Sequence, residues 1–324
     1  MNIFKLLITT PLGYILGWIN DFVNNYGVAI ILFTILIKLI MLPLGLKQQK
    51  SMTKMQRIQP KLKEIQDKYQ YDQNKASQET MKLYKEYGVN PAGGCLPLLI
   101  QFPILIGLYQ VIYRPLTYIL HFSDEKVKAL QKTYELTDAA AARTAELIIA
   151  TKEKLLNFDF FGLDLSEIPM DNLKEFMAGK AGIAALIIFI IPIISTITTY
   201  LSSKITTYMN DAKKDKKEEE PKKPERVLSP DQKSAAGSGN ADAMTKTMSW
   251  MMPIMTLWLT VTLPSTLGLY WTISNILSLA QTILLNGYYN KKLTAEIEAQ
   301  DAEREKKLLE KQKKYNITKK KKRG

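Results

Sequence analysis

Apolar residues run in blocks along this chain and hardly mix with the charged ones. Blocks of roughly 15–20 apolar residues alternate with lysine-rich stretches, the pattern of a polytopic helical membrane protein. Five blocks read as spans. The first covers residues 26–46 and is apolar except at Thr34 and Lys38; the second, 94–113, contains Pro97, Gln101, Pro103, Gly107 and Gln110. The third, 181–201, carries Pro192 and ends in Ser195, Thr196, Thr198 and Thr199. The fourth, 248–263, is short, and the fifth follows the Pro264-Ser265-Thr266 turn within 264–287. At 1.5 Å per residue the last two reach about 24–27 Å against a hydrocarbon core of roughly 30 Å, so the bilayer thins there or neighbouring helices cover the difference. The predicted fold class is an all-α polytopic membrane protein: a five-transmembrane-helix core with a hydrophilic groove and a cytoplasmic helical hairpin.

The segments between the spans have their own patterns. In residues 1–25, Leu12, Ile15, Leu16, Ile19, Phe22 and Val23 recur at helical spacing, while Gly13, Gly17, Asn20 and Asn24 fall on another face. This predicts an N-terminal amphipathic helix in the interface plane, with an extra span or an uncleaved signal anchor as the alternative. Residues 47–93 read as an antiparallel helical hairpin. Pro60 opens one stripe (Leu62, Ile65, Tyr69), Tyr71-Asp72 turns, and a second helix at 76–87 presents Met81 and Tyr84 before Gly88 ends it. Residues 114–180 form an extracytoplasmic loop with one or two helices over 123–155. Residues 202–247 are a cytoplasmic linker whose Lys/Glu run, prolines and Gly/Ser predict disorder, and 288–324 are a basic tail that starts helical.

Charge fixes the expected orientation. The net charge is +13, and its placement is uneven: residues 47–88, 202–246 and 290–324 are all net positive, whereas 114–180 holds 9 Lys/Arg against 11 Asp/Glu. Cytoplasmic loops hold the excess of lysine and arginine, so the three basic segments and the C-terminus face the cytoplasm. Composition also removes some chemistry. One cysteine, Cys95, and one histidine, His121, leave no internal disulfide, no Cys/His zinc site and no ready Cys/His nucleophile. No phosphate-binding G-x-x-x-x-G-K-[ST] loop is present. No metal or small-molecule cofactor is expected.

Lys38 is the sharpest chemical signal. It sits near the middle of the first span, where a charged side chain costs about 2.5–3.5 kcal/mol to insert. The five spans contain no Asp or Glu to pair with it. A hydrated cavity within the bundle resolves the cost. Thr34 lies one turn earlier on the same face. Gln101, Gln110, the Ser/Thr cluster of the third span, and Ser274, Asn275 and Gln281 of the fifth are candidates for the same lining, although each alone is more commonly an interhelical hydrogen bond. Trp271, one turn before Asn275, is a further candidate. Trp18 and Trp250 read as aromatic-belt anchors. A cation with no internal counter-ion is ready for an acidic guest. The basic tail fits anionic lipid headgroups or the phosphates of RNA.

Several blocks together resemble the YidC/Oxa family of membrane protein insertases, most like short, Gram-positive-type members. They are Asn25-Tyr26-Gly27 through Ile37-Lys38 to Pro43-Leu44, Ser51-Met52 through Gln59-Pro60-Lys61, Met81 through Lys85, and Val89-Asn90-Pro91-Ala92-Gly93-Gly94-Cys95 through Gln101-Phe102-Pro103. Near the end, Met251-Met252-Pro253, Leu263-Pro264-Ser265, Leu269-Tyr270-Trp271 and Ser274-Asn275 complete the set. The resemblance implies a groove open to cytoplasm and lipid but closed outside, with a positive residue on the first core span. Lys38 holds that position, where most bacterial members have arginine, so the charge is kept and the bidentate fork is lost. Thr34 and Trp271 match the family's threonine and aromatic positions. The implied function is insertion and folding of nascent membrane proteins without nucleotide hydrolysis. The implied partners are nascent chains, the ribosome through rRNA phosphates at the basic tail, the Sec translocon and anionic lipids. The substrate-binding groove residues expected are Lys38, Thr34, Gln101, Trp271, Asn275 and Gln281, with no catalytic residue. A small-solute transporter and a ribosome-docking scaffold are the alternatives; the first lacks coupling carboxylates in the spans.

Overall fold

In hydrocarbon each backbone N–H must find its acceptor within its own segment, so long apolar runs fold as helices. The computed structural model describes residues 3–90, 96–136, 139–211 and 241–321. Their order is α1 (Lys5–Val23), α2 (Tyr26–Lys68), α3 (Gln73–Glu86), α4 (Leu96–Tyr113), α5 (Pro115–Tyr118), α6 (Asp124–Thr133), α7 (Ala139–Lys152), a two-stranded antiparallel hairpin β1 (Asp159–Phe160) and β2 (Leu163–Asp164), α8 (Pro169–Met177), a 3-10 turn Ile183–Phe189 leading into α9 (Ile190–Asp211), α10 (Ala241–Thr262) and α11 (Ser265–Lys321). Among the described residues, Lys5–Val23, Tyr26–Met55, Ile183–Ile205 and Ser265–Leu285 are long and apolar enough to cross a membrane. Gln101–Tyr113 and Trp250–Thr262 are shorter apolar helices.

The prolines of α2 depart from the sequence reading. Pro60, read as a helix opener, lies inside α2, as does Pro43. The helix runs on because a proline removes a single N–H donor, which the surrounding turns can absorb. In the N-terminal segment, α1 is long enough to be a crossing helix as well as an interfacial one. Of the linker 202–247, expected to be disordered, residues 212–240 lie outside the described residues; its ends are helical instead, 202–211 continuing α9 and 241–247 opening α10, because each extends an apolar helix by a few turns.

The chain forms two compact units, Met1–Leu42 with Pro97–Ala280, and Pro43–Leu96 with Gln281–Gly324. In the second, the hairpin closes around Ile58, Leu62, Leu83, Tyr87 and Val89. Asp72 caps α3 by accepting from the Lys75 N–H at 3.0 Å, and Gly88 takes a φ of 58° just beyond its end. Met81, expected on the inner stripe, points outward, and Leu83 takes the buried place. Lys61 Nζ donates to the Tyr87 hydroxyl at 2.6 Å across the pair.

In the first unit, Leu16, Ile30, Phe33, Leu108, Ile112 and Leu116 share one continuous core. The small face of α1 makes this possible. A methyl group added at Gly13 would stand 2.5 Å from the Tyr118 carbonyl oxygen, and one at Gly17 would stand 3.1 Å from that of Ile119. Thr9 Oγ1 donates to Gln110 Oε1 at 3.2 Å on the same face, so Gln110 joins two helices.

The stretch from Asn157 to Glu167, which includes the unforeseen β-hairpin, straps two helix beginnings together. At α2, Tyr26 N–H donates to the Asn157 carbonyl at 2.8 Å and Asn25 Nδ2 to that of Asp159 at 2.7 Å. At α11, the Ser265 N–H and hydroxyl both donate to the Glu167 carbonyl at 2.9 Å, and those of Thr266 to the Leu165 carbonyl at 3.0 and 2.8 Å. Orphan N–H groups at both helix starts are satisfied by one segment.

Beside this strap, Glu146 of α7 is buried and holds the start of α5. It accepts from the Thr117 N–H at 2.9 Å and the Thr117 hydroxyl at 2.8 Å. Burial pushes its carboxyl above the usual carboxylate range, opposed by the Thr117 hydrogen bonds and the charge of Arg114.

Two outcomes follow from this packing. Gly13→Leu forces α1 from α5 and lowers stability by about 1–3 kcal/mol, which thermal unfolding in detergent reads as a drop of several degrees. Gly182→Ala, with open space around it, leaves the midpoint unchanged. For Glu146, a folded-state pKa raised above the unfolded one contributes stability below about pH 4, lost as pH rises through the raised value. Glu146→Gln therefore flattens the fall in unfolding temperature between acid and neutral pH, and a parallel wild-type profile would refute this.

Candidate functional site

The polar residues of the first unit's spans are sorted by the two sides of α11. Gly268, Thr272 and Asn275, spaced by four and three, share one face, and Tyr270, Ser274 and Ser278, spaced by four, form a second stripe beside it.

The first face is a hydroxyl seam with α9 and α10. Ser195 Oγ donates to the Gly268 carbonyl at 3.0 Å and lies 2.6 Å from Thr272 Oγ1. One helical turn on, Asn275 Nδ2 donates to Thr199 Oγ1 at 2.7 Å, and Thr199 Oγ1 lies 3.5 Å from Thr256 Oγ1. Glycine at 268 lets the helices approach: an added methyl would stand 2.7 Å from the side chain of Ile191. Ser195, Thr199, Thr256, Thr260 and Thr272 are all buried.

The second face meets the first two spans. Lys38 Nζ donates to Ser278 Oγ at 2.7 Å. Gln101 Nε2 donates to the Tyr270 hydroxyl at 2.8 Å, and Ser274, one turn on from Tyr270, also reaches that hydroxyl. Lys38 is half-buried and Tyr270 is buried. Among the described residues no ion pair joins a carboxylate to Lys38; Glu79 pairs with Lys82 and Asp171 with Lys174. No cluster of His, Cys, Asp or Glu among them could hold a metal ion.

The six expected site residues thus have different surroundings. Lys38 and Gln101 point to the Tyr270–Ser278 stripe. Thr34, 1% exposed, spends its hydroxyl on the Ile30 carbonyl of its own helix at 2.6 Å. Asn275 is held in the seam with α9. Trp271 is half-buried between the two stripes. Gln281, in the second unit, lies where a methyl at Gly45 would meet its amide nitrogen at 2.5 Å. Sequence reasoning missed Ser278 as a partner and treated Tyr270 only as a neighbour of Trp271. The signal was available: 270, 274 and 278 repeat at the four-residue spacing that aligns one helix face.

Comparison with known proteins adds an independent line. The family described as 60Kd inner membrane protein matches residues 18–292. Membrane protein insertase YidC 2 of Listeria innocua is 34% identical over 290 residues, 88% of this chain and 72% of the relative. Membrane protein insertase YidC 1 of Listeria monocytogenes is 33% identical over the same shares. Membrane protein insertase YidC of Maridesulfovibrio salexigens is 44% identical over 106 residues, 33% of this chain and 20% of the relative. A crystal structure of active YidC insertase with its first transmembrane domain resolved aligns at a TM-score of 0.49 and 24% identity, covering 87% of this chain and 47% of that one.

The hydroxyl seam generates its own test. Interhelical hydrogen bonds in membranes average about 0.6 kcal/mol. Thr272→Val with Asn275→Leu removes two, so the double variant unfolds a few degrees below wild type in detergent. Thr262→Val is the control, because that hydroxyl bonds only within α10, to the carbonyls of Trp258 and Leu259. Equal midpoints for all three proteins would show that the seam contributes nothing.

Proposed function

We infer the mechanism from the premise that this chain belongs to the YidC/Oxa family, the 60Kd inner membrane proteins, and is a membrane protein insertase. One observation carries the reading: within residues 28–46, 94–113, 181–201, 248–263 and 268–285, Lys38 is the only charged side chain, and its ammonium is met by the neutral hydroxyl of Ser278. A buried salt bridge would neutralise that field internally. A hydroxyl solvates the cation and leaves its charge to attract an incoming carboxylate.

The clients are nascent membrane proteins with a short polar or acidic segment to translocate. The basic hairpin at 47–93 receives the segment on the cytoplasmic side. The segment then enters a hydrophilic groove beside Lys38, with Gln101 and the Tyr270–Ser274–Ser278 stripe as exchangeable hydrogen-bond partners and Trp271 flanking them. Asn275 keeps α11 in register with α9 through its bond to Thr199, and Thr34, its hydroxyl bonded within α2, gives the wall beside Lys38 a small side chain. Gln281 is carried as a polar position of the second unit. The short fourth span thins the bilayer and shortens the polar path, whereas the fifth, expected to be short as well, is long enough to cross. The apolar part of the client leaves along the third and fifth spans into lipid, driven by its hydrophobic transfer free energy and not by nucleotide hydrolysis. The tail at 288–324 docks to ribosomal RNA phosphates and anionic lipids, and a Sec translocon can supply longer clients.

The test is insertion into proteoliposomes of a single-span client with an acidic N-terminal tail. Lys38→Ala lowers insertion about tenfold, the equivalent of ~1.4 kcal/mol. Lys38→Arg stays within about twofold of wild type, and a client with a neutral tail loses less than the acidic one. Insertion of the acidic client by Lys38→Ala at the wild-type rate would remove Lys38 from the mechanism.

A further inference from the structure

The tip of the β1–β2 hairpin is built against two ordinary preferences. Phe161 and Gly162 occupy its turn with φ of 55° and 80°, the geometry in which asparagine and glycine are favoured and a bulky aromatic is an outlier. Phe161 is also 93% exposed, although an aromatic side chain gains from burial. The hairpin is well held. The Gly162 N–H donates to Asp159 Oδ1 at 2.8 Å, and Phe160 turns inward against Gly27 while stacking edge-on with Phe161 at 4.7 Å. An exposed aromatic on a fixed, strained turn points to a surface role.

Its surroundings identify the surface. Strand β2 packs on the 3-10 turn Ile183–Phe189, and so does α8. That turn opens an apolar helix able to cross a membrane, and its Ile183 and Ile187 are 78% and 59% exposed. The C-terminal residue of α8, Met177, is 78% exposed, and Lys180 between it and the span is exposed too. Apolar side chains, an aromatic and a lysine thus cluster where a lipid-facing helix begins, the composition of a bilayer interface. We propose that the Phe161 turn and the Met177 edge of α8 form a wedge seated in the headgroup–acyl boundary of the leaflet where the third span starts. Its occupant is lipid: the patch is continuous with the exposed face of a span, and its crest is a single protruding side chain rather than a flat docking face. The wedge anchors the strap to the bilayer surface independently of any client.

Site-directed spin labelling of the full-length chain in phosphatidylethanolamine–phosphatidylglycerol liposomes tests this. Cys95 is replaced by alanine, and single cysteines are placed at 161, at 177 and, as a water reference, at 71, where Tyr71 is 77% exposed. Collision with oxygen and with a nickel chelate is measured at each. The expected oxygen-to-nickel ratio at 161 and 177 is several-fold above that at 71, with a depth within about 5–10 Å of the headgroup boundary. Nickel access at 161 and 177 equal to that at 71 would place the wedge in water and overturn the proposal. Exclusion of both reagents would mean that protein covers it, a second copy or another partner, and would overturn it equally.

Discussion

Hydroxyl groups do most of the polar work within the spans, because hydrocarbon offers no competing partner and carboxylates are absent there. Ser195, Thr199, Thr256 and Thr272 satisfy one another and nearby carbonyls across three helices. Such bonds are individually weak, but leaving any one group unpaired in lipid is costly. The close approach at Gly268 depends on them, and so does the orientation of α11. With that helix held along one stripe, the stripe beside it carries Tyr270, Ser274 and Ser278.

This division lets one helix carry two polar stripes with different partners. The seam uses short side chains whose bonds are saturated. The neighbouring stripe presents a phenol, which accepts from Gln101, and two hydroxyls, of which that of Ser278 meets Lys38. A carboxylate in this stripe would neutralise Lys38, and an aliphatic residue would leave the ammonium unsolvated. Serine at 278 avoids both outcomes, being polar enough to hold the cation and too weak an acceptor to cancel its field.

The apolar helices, the helix pair around Asp72 and the partly buried cation at Lys38 were legible because each leaves a one-dimensional mark: an apolar run, a helical stripe ended by Gly88, a charge inside hydrophobic sequence. What escaped depends on the third dimension. Nothing local distinguishes Asn275, bonded to α9, from Ser278, bonded to Lys38, except the angle between positions three residues apart. Pro60 carries the chemistry of a helix opener, yet tertiary context keeps α2 continuous through it. The β-hairpin is too short for alternation to reveal it, and its strands of two residues exist because Tyr26, Ser265 and Thr266 consume the neighbouring carbonyls. Met81 and Leu83 are both apolar, and only the partner helix decides which turns inward.

The strap from Asn157 to Glu167 has a mechanical consequence. It ties the first turns of α2 and α11 to the same short peptide, so those two helices share a pivot. Rotation about a pivot displaces a helix in proportion to distance from it. Lys38 lies twelve residues beyond Tyr26, about 18 Å along the axis at 1.5 Å per residue. A tilt that barely disturbs the strap separates the helices measurably at Lys38 and Ser278, as the arms of tweezers part at the tips and not at the joint. The hydrogen bonds of the strap therefore hold the two helix starts together more firmly than anything holds the same helices at Lys38 and Ser278, which meet through a single side-chain bond.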